Sequence, residues 1–331
     1  MSSTKLPVFL HLFANRKLAP GATLLVFEEN SLDTLSLLAT SPVFAAFVAE
    51  FPCLIARDQA AGLPADLLSA LQVLGCVLTA ASLIHHSDAL VKPVLPAQTL
   101  WLDGRWLLAP PPRPTQAQSA SRTLALKLLQ LVMADAETRD IEAVLRQDPT
   151  LSYHLLRLVN SLGIGVGREI TSFAQAILIL GRVQLRRWLN LMLFAARSED
   201  YRSSMLLARV VVRARTMELL AKESGLDRAD QELAFMTGMF SMLGILFGQP
   251  LETLIKPLQL SEALVGAVIK RQGELGRLLV LLEQAEQHEG AAVTESLAAL
   301  QLSVSQFTLA SLDACQWMLA ISRDVQGGSH G

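Results

Sequence analysis

Histidines, cysteines and paired carboxylates are the side chains with which a chain of this size would do acid–base, nucleophilic or metal chemistry, and here they are scattered. The six histidines are His11, His85, His86, His154, His288 and His330. None falls in an HExxH or HxH arrangement, and the adjacent His85 and His86 cannot share one helix face. No set has metal-ligand spacing, so no metal and no cofactor are expected. Cys53, Cys76 and Cys315 form no CxxC pair, which reads as reduced thiols in a cytoplasm. There is no GxSxG, and no catalytic residue stands out. Glu28-Glu29 follow an apolar run and offer the stump of a site, and Asp230 and Glu232 precede one; both pairs are read first as strand-end and helix-start charges.

Two further stretches invite chemistry. "NSLGIGVGREI", residues 160–170, looks like a phosphate loop, but it follows helical pattern and lacks a Lys-Ser/Thr. Its glycines are expected to end one helix and re-aim the chain. Between Gly181 and Glu218 lies a basic patch: Arg182, Arg186, Arg187, Arg197, Arg202, Arg209, Arg213 and Arg215 against Glu199, Asp200 and Glu218. Arg182, Arg186 and Arg197 fall on one helical stripe, and Arg209 and Arg213 on another. Such stripes serve either as a solvated helix face or as a dock for an anionic partner, an acidic protein surface or a nucleotide phosphate. Nucleic acid is not expected, because stacking aromatics are scarce nearby beyond Trp188 and Phe194.

The elements that must carry these residues divide the chain in two. "APPPRPTQAQSAS" at 109–121 reads as a linker. Before it, residues 1–108 alternate short apolar runs with helical pattern. "PVFLHLF", "TLLVFEE", "CLIAR" and "CVLTA" predict strands. "SLDTLSLL" predicts a Ser-capped helix, "LPADLLSALQVLG" a helix stopped by Gly75, and "TLWLDGRWLLA" a hairpin turning at Asp103-Gly104. After it, 122–325 has helical spacing throughout, with a long helix from about Ser203 to Glu223 and a short tail at 326–331. The fold class is therefore α+β: a small α/β unit followed by an all-α domain. The uncharged run Leu67 to Ile84 is read as a helix and a buried strand, with no membrane association expected. A chain that is 51% hydrophobic with a net charge of −2 has ample core and no global pull on nucleic acid. In "AFMTGMFSMLGILFGQP", Gly238, Gly244 and Gly248 interrupt an apolar helix at a cost of about 1 kcal/mol each against Ala, so something must come close to them.

The second half resembles an HDOD domain, the catalytically silent relative of HD-type phosphohydrolases, over about residues 121–320. The resemblance rests on "DPTLSYHLLRLVNS", "REITSFAQAILILGRVQLRRWL", "ELAFMTGMFSMLGILFGQPLETLI" and "LGRLLVLLEQAE", with Asp148, Pro149, Asn160, Ser161 and Gly181 in the family's order. It implies that an HD enzyme's His-Asp pair is replaced by Ser241 and Met242 within the frame of Gly238 and Gly244. Arg209 and Arg213 stand on the upstream helix where such enzymes place a further His. The hydroxyl, thioether and guanidiniums are poor ligands for a hard cation. The first half resembles a shortened, degenerate EAL domain of the kind that hydrolyses cyclic di-GMP. It lacks the Glu-Ala-Leu triplet, has His11 where such proteins often place Asn, and offers only Glu28 or Glu29 as a possible ligand. Together the resemblances imply a non-enzymatic signalling protein that binds other signalling proteins in cyclic di-GMP, motility or stress pathways, with a nucleotide receptor or a residual metal phosphohydrolase as alternatives.

Overall fold

The computed structural model describes residues 5–88, 95–111, 116–145, 147, 181, 183–184, 186–187, 189–191, 193–194, 200–258 and 260–326. The N-terminal part is built on a six-stranded mixed sheet of β1 (Phe9–Ala14), β2 (Pro20–Val26), β3 (Cys53–Ala56), β4 (Val77–Thr79), β5 (Ile84–His86) and β6 (Trp101–Asp103), in the order β4-β3-β2-β1-β6-β5. β1 pairs antiparallel with β2 and β6, while β2–β3, β3–β4 and β5–β6 are parallel. The parallel steps need crossovers. α1 (Leu32–Ala39) and α2 (Pro42–Glu50) lie between β2 and β3, and α3 (Arg57–Ala60) and α4 (Ala65–Leu74) between β3 and β4. Ser41 caps α2 by accepting from the Phe44 N–H, with Pro42 at the first position. Gly75 ends α4 at φ 112°, a conformation that favours glycine.

Four sequence expectations change here. The hairpin at Asp103-Gly104 has no second strand: Gly104, at φ 110°, turns the chain into a 3-10 helix, Arg105–Leu108, that buries Trp106 and Leu107. β6 finds its partners in β1 and β5 instead. The strand after Gly75 is a sheet edge and not a buried strand, with Val77 56% exposed. Ser31 precedes α1 as expected, but its hydroxyl donates to the Pro7 carbonyl and makes no cap bond to the helix. The supposed linker 109–121 is overrun by α5, Gln116–Met133.

Beyond α5 every described element is helical: α6 (Thr138–Leu145), α7 (Ser203–Glu223), α8 (Arg228–Phe240), α9 (Leu243–Phe247), α10 (Leu251–Ile255), α11 (Glu262–Lys270), α12 (Gly273–Ala285), α13 (Gly290–Ala299) and α14 (Val304–Gln326), besides helical positions within 183–194. α7 is the central helix, packed most extensively against α8 and α14. Gly238 explains how close α8 comes: a Cβ there would stand 2.6 Å from the Ala214 Cα on α7. Gly248 ends α9 at φ 65°. Among the described residues no single helix is long and apolar enough to cross a membrane.

The two halves share one core. A single cluster of buried side chains runs from Val8 and Leu25 of the sheet through Trp106 to Leu206 and Phe240 of the helices. α14 lies along α1 and α2, and Gln316 Nε2 donates to the Val43 carbonyl at 3.1 Å. Fully buried Arg202, paired with Asp200 at 2.8 Å, donates to the carbonyls of Ala109 and Ile245 and so ties the chain between the halves to the helical part.

Candidate functional site at the seam

Residues 209, 213 and 216 recur at helical spacing on the face of α7 that meets the sheet. Glu286, immediately after α12, places its carboxylate between Arg209 and Arg213. Arg209 Nη2 reaches Oε2 at 2.9 Å, and Arg213 Nε reaches Oε1 at 2.7 Å. Arg213 also donates to Ser241 Oγ at 2.7 Å, and Ser241 donates to the Gly238 carbonyl at 2.7 Å. Burial alone would push the Glu286 carboxyl up; the two guanidiniums overcome it and hold it at about 2. Burial likewise opposes the Arg213 charge, and Glu286 more than restores it.

The sheet contributes the facing wall. His11 on β1 meets Asp103 at the end of β6, with Nε2 to Oδ1 at 2.7 Å. His86 of β5 stands 3.5 Å from the other carboxylate oxygen. Burial opposes ionisation of Asp103, but the His11 hydrogen bond and charge, with the Gly104 N–H, bring it to about 2. His288, held at φ 59° after α12, sets its ring edge-on to His11 at 4.7 Å between centroids and tilted to Phe9 at 5.5 Å. Burial and then the neighbouring His11 lower its pKa to about 4, so it is neutral at pH 7. Between these walls lies a cavity of about 110 Å³, closed on its apolar side by Phe9, Trp106, Met205 and Phe307. Cys315 also lines it, but burial raises that thiol to about 12, which leaves it unreactive.

Of the arginines read as either a solvated helix face or a dock, Arg187, Arg209 and Arg213 are turned inward. Arg187 bonds Glu232 at 2.6 Å and Glu218 at 2.8 Å and lies over the Phe235 ring at 4.4 Å. Arg209 and Arg213 share Glu286, and Arg213 is 7% exposed. A guanidinium enters a core only with its carboxylates, and these were too distant in sequence to be foreseen. Arg186 is more open, at 27% exposed and 3.4 Å from Asp135, on the same helical face as exposed Val183. Arg182 and Arg197, and the family-signature residues Asp148, Pro149, Asn160 and Ser161, lie outside the described residues, as does the glycine stretch 160–170. Gly181 is exposed at φ 73° with no described atom near its Cβ position.

Ser241 and Met242 sit as a filled position. The serine hydroxyl is engaged on both sides, and Met242 is fully buried. A guanidinium bonded to that hydroxyl does not suit a divalent cation, whose ligands must be electron donors. Among the described residues no group of three or more His, Cys, Asp or Glu side chains is placed to hold a metal ion. His11, Asp103, His288, Thr216 and Glu286 were missed as members of one site. Alternation along β1 marked His11 as a strand residue, but no local signal joined it to Asp103, 92 residues away.

Comparisons with known proteins agree with the helical half. Residues 120–256 match the model of the HDOD domain. The chain is 30% identical over 206 residues to the cyclic di-GMP phosphodiesterase CdgJ of Vibrio cholerae, covering 62% of this chain and 47% of that protein. It is 25% identical over 192 residues to the uncharacterized protein YuxH of Bacillus subtilis, covering 57% and 46%. The matched part thus spans about half the length of these curated relatives. A crystal structure of a provisionally named phosphohydrolase from Shewanella amazonensis matches with a TM-score of 0.41 at 15% identity, over 61% of this chain and 93% of the other.

Proposed function

We propose that this chain is a bacterial regulatory protein whose HDOD domain works without catalysis, by binding other signalling proteins in a cyclic di-GMP, motility or stress pathway. One observation carries the reading: Arg213 bonds Ser241 and is held there by Glu286. Hydrolysis by an HD-type site needs a cation to ionise water. A fixed, buried positive charge on the first residue of the replaced pair opposes that cation. The sequence likeness to a protein named as a cyclic di-GMP phosphodiesterase supports the pathway. The phosphodiesterase activity belongs to that protein's name, and the N-terminal sheet is read here as a degenerate relative of such a domain. The arginines of α7 are already paired internally, so partner capture falls to the surface around Arg186 and Val183.

The test uses the full chain. Purified protein incubated with cyclic di-GMP and Mg²⁺ or Mn²⁺ should give no product above the blank. Affinity purification from the native bacterium should recover signalling proteins that are lost with Arg186→Glu. Turnover that scales with enzyme concentration would overturn the non-catalytic reading. Unchanged capture of every partner by Arg186→Glu would remove that surface.

A further inference from the structure

Two cysteines that are far apart in the sequence become neighbours in the sheet. β3 and β4 run parallel, with Leu54 opposite Val77, Ile55 opposite Leu78 and Ala56 opposite Thr79. One step back in that register, Cys53 stands opposite Cys76. Side chains alternate across a strand, and the core shows which face these two share. Cys53, Ile55 and Cys76 belong to the large core between sheet and helices, whereas Leu54 packs on the other face with Phe13 and Ala22. Neighbouring strands lie about 4.8 Å apart, inside the range of about 4.4–6.8 Å between the Cα atoms of a disulfide. Both thiols are free. They share a hydrogen bond, and that bond first, then burial, hold the Cys53 thiol well above its ordinary pKa.

The two thiols differ in access. Cys53 is 0% exposed, while Cys76, at 4%, is the buried residue between exposed Gly75 and exposed Val77. It sits where α4 ends and β4 begins. β4 is three residues long and, among the described residues, pairs only with β3. A short edge of this kind opens locally at low cost, so an oxidant the size of water meets Cys76 before Cys53. We propose that Cys53 and Cys76 form a reversible redox site, in which a peroxide joins the two thiols into a disulfide across β3 and β4. The Cys76 sulfur attacks one peroxide oxygen; the O–O bond breaks, a sulfenic acid forms on Cys76, and the thiol proton leaves with the other oxygen as water. The Cys53 sulfur then attacks the Cys76 sulfur; the S–O bond breaks, and the hydroxyl leaves with the Cys53 proton as a second water. The two sulfurs give up two electrons and the peroxide takes them. A dithiol reverses the step by exchange. Oxidation closes the loop that carries α3 and α4 and pins the sheet edge to β3. Cys315, on α14, is pushed up to about 12 by burial and takes no part. The proposal is independent of the Arg186 surface and of hydrolysis.

The experiment treats the reduced, folded full chain with hydrogen peroxide, blocks the remaining thiols with N-ethylmaleimide, and maps the peptides by mass spectrometry without reduction. Two of the three thiols should be lost, a Cys53–Cys76 linked peptide should appear, and dithiothreitol should restore both thiols. Cys315→Ser should give the same link, and Cys76→Ser should abolish it. Cys53→Ser should leave a sulfenic acid on Cys76 that dimedone traps. The wild-type map by itself identifies the link, so the outcome does not depend on the variants folding. The thermal midpoint of the oxidised chain should lie above that of the reduced chain, because the closed loop restricts the unfolded state. A Cys53–Cys315 link or a link between two chains in place of Cys53–Cys76 overturns the proposal, as does a link that forms only in urea. An oxidised midpoint below the reduced one would show that the two positions are not spaced for the bond, with the same consequence.

Discussion

Replacing Glu286 by Gln removes the carboxylate that two guanidiniums share and keeps the side-chain shape. The group is 18% exposed, and its pKa falls from 4.5 to about 2 on folding. That shift corresponds to roughly 3 kcal/mol of preference for the ionised carboxylate. A glutamine amide cannot supply the charge, and it leaves Arg213, at 7% exposed, without its counter-ion. Breaking a buried pair from one side costs about 3–5 kcal/mol, so about 3 kcal/mol is expected for Glu286→Gln. For a chain of this size that lowers the thermal midpoint by roughly 5 °C, read by far-UV circular dichroism, with a matching fall in urea midpoint at unchanged slope. Arg213→Met combined with Glu286→Gln should recover part of the loss, since Arg209 is 21% exposed and can turn to solvent. A Glu286→Gln midpoint within about 1 °C of wild type would refute the claim that this pair holds the seam.

Two further outcomes follow from the same geometry. His288 is lowered from 6.5 to about 4, so below pH 6.5 the unfolded chain takes up a proton that the folded chain refuses. Stability contributed by the neutral ring is complete above about pH 6.5 and drains by roughly 3 kcal/mol as pH falls towards 4. His288→Asn, which tolerates the positive φ, should flatten urea midpoints across that window. The further loss from Asp103 and Glu286 towards pH 2 should remain; an unchanged slope between pH 6.5 and 4 contradicts the assignment. Gly238→Ala would stabilise an isolated helix by about 1 kcal/mol. Here the new Cβ meets the Ala214 backbone at 2.6 Å, so a net loss of about 1–3 kcal/mol is expected, and a raised thermal midpoint would show that α7 and α8 are not packed this closely.

How much of this was legible along the chain depends on the range over which each signal acts. Helical spacing and terminal residues are local, and they placed Ser203–Glu223 and the stop at Gly75 correctly. Alternating apolar runs located β1, β2 and β3. The glycine at 238 announced a close approach before its neighbour was known. Three of the four stretches that carried the HDOD resemblance fall within residues 120–256, which the domain model matches, while the fourth, at 275–286, lies beyond that match. The hairpin at Gly104 failed because Asp-Gly specifies a turn but not whether the returning chain can pair; β5 already occupies that side of β6. Arg187, Arg209 and Arg213 lie on helices, but turned inward and not on a free surface. Their fate was decided by Glu286, 73 residues from Arg213, and by Glu232, 45 residues from Arg187. The seam site is entirely a product of tertiary structure. His11, Asp103, Thr216, Glu286 and His288 each look ordinary among their sequence neighbours. Only packing the sheet against α7, α12 and α14 removes the water that would otherwise satisfy and screen them, and that desolvation turns five scattered polar residues into one cavity wall.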